Sequence, residues 1–342
     1  MFFYLTEIVT EKDNQNKKKC LLKSSNKMSN YQHLYKNTGQ VEEKQSVRRE
    51  RLLEIQRDKR NSALDKARNL TIFAEKNQNF KKNNSYYDYN YRNKLMLSEW
   101  MDDGAPKDIE DFYLVPCPKG TRCLLVSENN HKPTKVFYKN GRLFKKFNSN
   151  LPSNTILDCI YNETTRTFYI LDLLVYGNRD MMNCDSQFRF FWLKSKFIED
   201  NLKVIDSDLT LALLSYHDFV DSTLINVCLQ SHPLWECDEP NLDGYLFYHK
   251  EASYTSGTTP LVLWLFPFMM EEVFPYKTNP VYKLQTPDDY TNYKDFIRIF
   301  EETRKRKAIR KSKTSVTEDK EMDQSDDEVE CPMKELELEM TE

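Results

Sequence analysis

The chain has 342 residues, 13 % of them aromatic (20 Tyr, 20 Phe), only 7 Gly, and a formal net charge of −3. So few glycines argue against a doubly wound dinucleotide-binding sheet, whose phosphate loop needs them, and the aromatic load favours a β-rich core. The small net charge hides segregation, with positive charge concentrated over 48–68 and 304–313 and negative charge over 318–342; the blocks bear on partners more than the sum does.

The eight cysteines (20, 117, 123, 159, 184, 228, 237, 331) form no CxxC pair, and the five histidines do not gather near them. No zinc site is expected, nor any other metal or cofactor, and free thiols fit a reducing compartment. Met1–Leu5 is apolar, but Glu7 interrupts it too early for a secretory leader. No run approaches the ~20 apolar residues that cross a bilayer. A soluble, intracellular protein with no membrane partner is the expectation.

Residues 1–30 read as a leader, with an apolar patch over 1–9 and a Lys- and Asn-rich stretch behind it. A helical segment follows, with Ser46 as N-cap, running toward Leu70. Residues 71–94 read as a linker, rich in Asn, Lys and Tyr and poor in aliphatics from 75 onward. Between 95 and 285 the texture changes to short β-type runs separated by turn residues. Phe112–Val115, Arg122–Val126, Thr167–Leu174, Phe188–Leu193 and Tyr245–His249 are the predicted strands. Asn140-Gly141, between Val136–Lys139 and Arg142–Phe147, predicts a hairpin. Trp192 is assigned to the core, and Trp235 receives no role. In 286–342 a helix is predicted over Tyr290–Arg310 with Tyr293, Phe296, Ile297 and Phe300 on one face, then an acidic, disordered tail after Thr317. The fold class is α+β: a β-rich domain preceded by an N-terminal basic helix.

On that basic helix Leu52, Ile55, Ala63, Ala67 and Leu70 form a thin apolar stripe, broken by Lys59, and Arg48, Arg49, Arg51, Arg57, Lys59, Arg60, Lys66 and Arg68 cover the rest. Such a stripe buries too little to hold the segment firmly on its own domain. Three readings stay open: a partner with an acidic groove that accepts bidentate Arg–carboxylate pairs, a solvated charged helix, or a phosphate-binding surface for nucleic acid.

Two stretches, Asp243-Gly-Tyr-Leu-Phe-Tyr-His-Lys250 and Thr259-Pro-Leu-Val-Leu-Trp-Leu265, resemble the nucleotide pocket of the guanylyltransferase and DNA-ligase superfamily, with the chemistry removed. Covalent nucleotidyl transfer needs an amine nucleophile in a Lys-x-Asp-Gly-x-Arg frame. The matching stretch here is Cys117-Pro-Lys-Gly-Thr-Arg122, with a cysteine at the nucleophile position and Lys119 at the aspartate position. The Asp-Gly-Glu frame becomes Asp158-Cys-Ile160, and the Lys-x-Lys that would neutralise phosphate charge becomes Leu263-Trp-Leu265. No phosphoryl-transfer apparatus is left, so no enzyme is expected.

Four blocks carry a resemblance to the snurportin family: Leu95-Met-Leu-Ser-Glu-Trp100, Thr155-Ile-Leu-Asp-Cys-Ile-Tyr-Asn-Glu163, Asp185–Lys196 and Asp243–Leu265. The basic run Gln45–Arg60, with Arg48-Arg49, Arg51-Leu52-Leu53-Glu54 and Lys59-Arg60, resembles the same family's importin-β-binding region. The resemblance implies a nuclear import adaptor that binds the 2,2,7-trimethylguanosine cap of spliceosomal small nuclear RNAs in a domain similar to the nucleotidyl-transfer core of mRNA guanylyltransferases. It implies importin β as the partner of Arg48, Arg49, Arg51, Leu52, Leu53, Arg57, Lys59 and Arg60. Exportin would contact Leu5, Ile8 and Val9, and the protein would shuttle between cytoplasm and nucleus. In the cap pocket it implies Trp264 as stacking platform, Trp100 at the methylated edge, Ser98 and Lys139 on the phosphates, Cys117 and Ile160 as lining, and Arg122 on ribose or phosphate. An N7-methylated guanine is cationic and stacks on indole, and its N2 methyls favour an apolar wall, which Ile160 supplies where the enzymes have a carboxylate. The rival readings are a capping-type guanylyltransferase and a binder of monomethylated caps.

Overall fold

The structure is a computed structural model that describes residues 44–68 (side chains through 61), 89–128, 132–205, 208–235, 241–303 and 306. Leu5, Ile8 and Val9, residues 75–88 and the acidic tail lie outside the described residues. The elements in chain order are helix α1 (Gln45–Arg68), strands β1 (Met96–Trp100), β2 (Phe112–Pro118), β3 (Thr121–Ser127), β4 (Thr134–Tyr138), β5 (Leu143–Ser149), β6 (Thr155–Asn162), β7 (Thr167–Tyr176) and β8 (Arg179–Asp180), then α2 (Ser186–Glu199). There follow β9 (Val204–Ile205), β10 (Thr210–Leu213), β11 (His217–Asp218), α3 (Ser222–Gln230), β12 (Leu242–His249), β13 (Gly257–Leu265), the short helices α4 (Met270–Val273) and α5 (Pro280–Lys283), and α6 over 293–303.

The strands form two sheets, one in the order β1-β13-β12-β2-β11, the other in the order β10-β7-β6-β3-β4-β5-β9 with β8 on β7. In β3, Leu124 and Val126 enter the core shared with the first sheet, while Cys123 and Leu125 enter a second core on the opposite face with Leu193 of α2. That alternation is the period-2 geometry of a strand buried on both faces. The fold is α+β and β-rich, as expected.

The predicted hairpin is present as a three-residue loop. Gly141 alone has positive φ (82°), and the Gly141 and Tyr138 amides donate to the Tyr138 and Arg142 carbonyls at 2.9 Å. This matches a type I turn closed by a left-handed glycine.

Phe188–Leu193, predicted as a strand, lies inside α2. Its N-terminus is capped by Asp185, whose carboxylate accepts from the Phe188 amide at 2.8 Å, and Ser186, Arg189, Phe190 and Leu193 form the buried face. The aromatic run suggested β-structure, but the i, i+3, i+4, i+7 spacing after a capping aspartate prevailed. Trp192 is only half-buried rather than in the core, with Arg179 over its ring at 5.3 Å. The last part of the predicted linker is ordered: Tyr89–Tyr91 is a short helical turn, and Tyr91 packs on Phe137 at 4.7 Å. The aromatic face of α6 is as predicted, with Ile297 buried and Phe296 and Phe300 stacked at 6.1 Å.

Candidate functional site

β1 joins β13 in parallel, setting Ser98 opposite Thr259 and Trp100 opposite Trp264, with a register shift between Ser98 and Glu99. β13 runs antiparallel to β12, and Gly244 of β12 pairs with Cys117 of β2. The Trp264 ring lies against Gly244 so closely that a Cβ there would come within 2.3 Å of Cζ2. Glycine at 244 is therefore what lets the indole lie flat on the sheet. Register thus pairs Trp100 with Trp264 and Gly244 with Cys117, and the Trp264 ring links the two pairs by lying against Gly244.

The second sheet brings Arg122 opposite Ile160. The Arg122 guanidinium forks onto Asp158 at 2.6 and 2.7 Å and also donates to the Met96 carbonyl at 3.2 Å, which ties β1 to β3. Tyr254 completes the group, donating its hydroxyl to Asp158 at 2.7 Å. Burial alone would lower the Arg122 pKa, but the charge and hydrogen bonds of Asp158 outweigh it and push it well up. Arg122 is therefore cationic with its charge committed to Asp158, which makes it a positioning residue rather than an open phosphate ligand. Burial pushes the Cys117 thiol up, so this side chain is a neutral, apolar wall element and no nucleophile.

Ser98 is completely buried, and its hydroxyl has no hydrogen-bond partner among the described residues. An unmade bond at a buried hydroxyl costs about 1–3 kcal/mol, and native proteins keep such groups chiefly where a ligand or water meets them. Lys139 is half-buried in the β4–β5 turn, with its carbonyl held by the Asn93 amide at 2.8 Å.

Both indoles are covered: Trp100 is 3 % exposed and Trp264 0 %. Phe266 lies 5.6 Å from the Trp100 ring, and Phe300 of α6 meets its edge at 5.4 Å. Phe296 of α6 meets Phe266 at 5.9 Å. As described, neither indole presents an open face on which a base can stack.

Residues 94–267 match the family described as Snurportin1, m3G cap-binding domain, and residues 32–69 match Snurportin1. The chain belongs to the snurportin family.

Among solved structures it is similar to the ligase domain of M. tuberculosis LigD, at 12 % identity and a TM-score of 0.34, over 52 % of this chain and 60 % of that one. It is also similar to Chlorella virus DNA ligase-adenylate, at 13 % identity and a TM-score of 0.32, over 50 % of this chain and 66 % of that one. The chain thus spans about three-fifths of the length of the LigD ligase domain.

In this snurportin-family chain, α1 does not stand free of the domain. Through residue 61 its buried face is not the predicted apolar stripe, for Ile55 is exposed and Leu52 half-buried, while the Ala63, Ala67 and Leu70 side chains of that stripe lie outside the described residues. The face is instead Gln45, Arg49, Leu53 and Gln56, continued by half-buried Arg60, a spacing of four, four, three and four that forms one side of a helix. Gln45 donates to Glu99 at 3.1 Å and to the Trp100 carbonyl at 2.9 Å, and Arg48 forks onto Glu99 at 2.6 Å. Arg49 meets Asp108 at 2.9 Å, Arg57 meets Glu251, and Arg60 meets the Ser253 hydroxyl at 2.9 Å. Leu53 is the apolar anchor, against Ala252 and Leu261. Arg51 and Lys59 are exposed. Sequence reasoning missed Glu99, Asp108 and Glu251 as partners because isolated surface carboxylates carry no signal of what they face.

Among the described residues, Asp108, Asp111 and His249 bring possible ligand atoms within 4.8 Å of one another. Asp108 is already engaged by Arg49, and a guanidinium in that position opposes a second cation.

Proposed function

We propose that this chain is an import adaptor that holds the 2,2,7-trimethylguanosine cap of small nuclear RNAs on the Trp100–Trp264 face of the paired strands β1 and β13 and presents α1 to importin β. The observation that carries the reading is the pairing of Trp100 with Trp264 beside a buried, unsatisfied Ser98 hydroxyl, all inside the segment that matches the cap-binding family. Trp264 supplies the stacking face for the cationic base, and Trp100 meets its N2-methyl edge. Ile160 and the neutral Cys117 thiol line an apolar wall, Ser98 and Lys139 hold phosphate oxygens, and Arg122 fixes β1 through Met96. An apolar wall suits a purine whose N2 donors are replaced by methyls. Base–indole stacking is worth about 1–3 kcal/mol.

The adaptor performs no reaction, since transport follows from linking cargo to carrier. The arginines of α1 provide the forked donors that an acidic carrier groove requires. An exportin contact at Leu5, Ile8 and Val9 would return the empty protein, so that it shuttles between cytoplasm and nucleus.

Tryptophan fluorescence of the full chain titrated with trimethylated and monomethylated cap dinucleotides tests the pocket. The trimethylated cap is expected to bind more tightly, and equal affinities would sink the proposal. Incubation with labelled GTP and a divalent metal is expected to leave no covalent adduct, and an adduct would install the guanylyltransferase reading instead.

A further inference from the structure

The same arginines that the carrier is proposed to read are already held within the chain. We infer that Glu99, Asp108 and Glu251 form an acidic ledge whose occupant is α1 itself, so that the cap-binding domain and the carrier compete for one helix face. The inference rests on the proposed function only for the identity of the carrier; the ledge stands on its own geometry.

Three features of the contact suit a helix that comes and goes. First, its bonds are polar. Arg48, Arg49 and Arg57 each meet a carboxylate, while among the described residues Leu53 alone is a buried aliphatic on the helix side. A core helix presents a wide apolar stripe instead. Second, the packing is incomplete: Gln56 Nε2 and Arg49 Nε are buried and unpartnered among the described residues, although Gln56 Oε1 accepts from the Ser253 amide at 2.9 Å. Unmade bonds of that kind lower the stability of the docked state. Third, charge complements charge along the contact, from Glu99 at one end to Glu251 at the other, and the Arg57–Glu251 pair, exposed on both sides, weakens with salt.

A carrier that engages the Gln45, Arg49, Leu53 and Gln56 face of α1 must lift it from the ledge, because those residues are buried against the domain. The docked state therefore lowers the apparent affinity of the full chain for the carrier by the fraction of time that α1 is released. Weakening the ledge away from the tryptophans, at Glu251 and Asp108, should raise carrier affinity without altering α1's own residues.

Hydrogen exchange of the full-length protein, with no carrier present, reads the ledge directly. The α1 amides are expected to be protected in the wild type and to lose protection in Asp108→Asn/Glu251→Gln, or in 0.5 M salt on the order of tenfold. Unprotected α1 amides in the wild type would overturn the inference. Titration with purified importin β then tests the competition: a peptide of residues 31–70 should bind on the order of tenfold more tightly than the full chain, with the double variant approaching the peptide. Equal affinities for peptide, wild type and variant would overturn the competition. A peptide that fails to bind while α1 remains protected would instead remove the carrier from the proposed function and leave the ledge–helix contact standing.

Discussion

Arginine–carboxylate pairs do two different jobs in this molecule. Between the sheets, Arg122–Asp158 and Arg189–Asp172 are at most 1 % exposed. Their remaining hydrogen-bonding capacity is used, by Tyr254 and the Met96 carbonyl for the first pair and by the Cys184 and Ala252 carbonyls for the second. Along α1 the pairs grade outward, from Arg48–Glu99 at 14 % and 6 % exposed to Arg57–Glu251 at 57 % and 45 %, so the wet extreme is the Glu251 end. The partners are chemically identical, but the surroundings differ. A dry pair cannot be opened without stranding a charge, whereas a wet pair exchanges readily with solvent or a competitor.

The sharpest way to break the comparison is to remove one partner from each kind of pair. Asp158→Asn should lower stability by about 3–5 kcal/mol, because the Arg122 charge is left buried; calorimetric unfolding that shifts as little as it does for a surface variant would refute the contrast. Gly244→Ala forces a Cβ into the Trp264 ring and should cost about 1–3 kcal/mol by overpacking, with loss of cap-induced fluorescence change in whatever fraction remains folded. Glu251→Gln should change global stability by no more than about 1 kcal/mol, and the difference from wild type should vanish at high salt in urea melts.

A separate test is a pH dependence. The Thr278 backbone amide, followed by Lys283, the Thr278 hydroxyl and Lys277, holds the Glu271 carboxyl down at about 2 against an ordinary 4.5. Because the folded-state pKa is depressed, its contribution is fully present above pH 4.5 and is lost as pH falls toward 2. Acid titration of Glu271→Gln against wild type should show the two unfolding curves converging across that window.

Much of the fold was legible because local rules decide it. Asn140-Gly141 marked its hairpin, and the Tyr293, Phe296, Ile297 and Phe300 spacing marked α6. The four blocks around Trp100, Ile160, α2 and Trp264 single out the candidate site, and strand register pairs Trp100 with Trp264 and Gly244 with Cys117. What could not be read depends on pairing at long range. Nothing local to Phe300 says that it rests on Trp100, and nothing in α1 says that a polar face outcompetes Leu52 and Ile55 for burial. The aromatic density of Phe188–Leu193 was persuasive for a strand until Asp185 is recognised as a helix cap.

Arg189 has a consequence for α1 that no residue of α1 reveals. Its guanidinium holds the Ala252 carbonyl at 2.8 Å from below, while Ser186 bonds the carbonyls of His249 and Lys250 at 2.8 and 3.0 Å. Ala252 is the floor on which Leu53 sits. The berth is therefore held from the interior outward by bonds that the domain makes within itself, to Arg189 and Ser186, none of which α1 supplies.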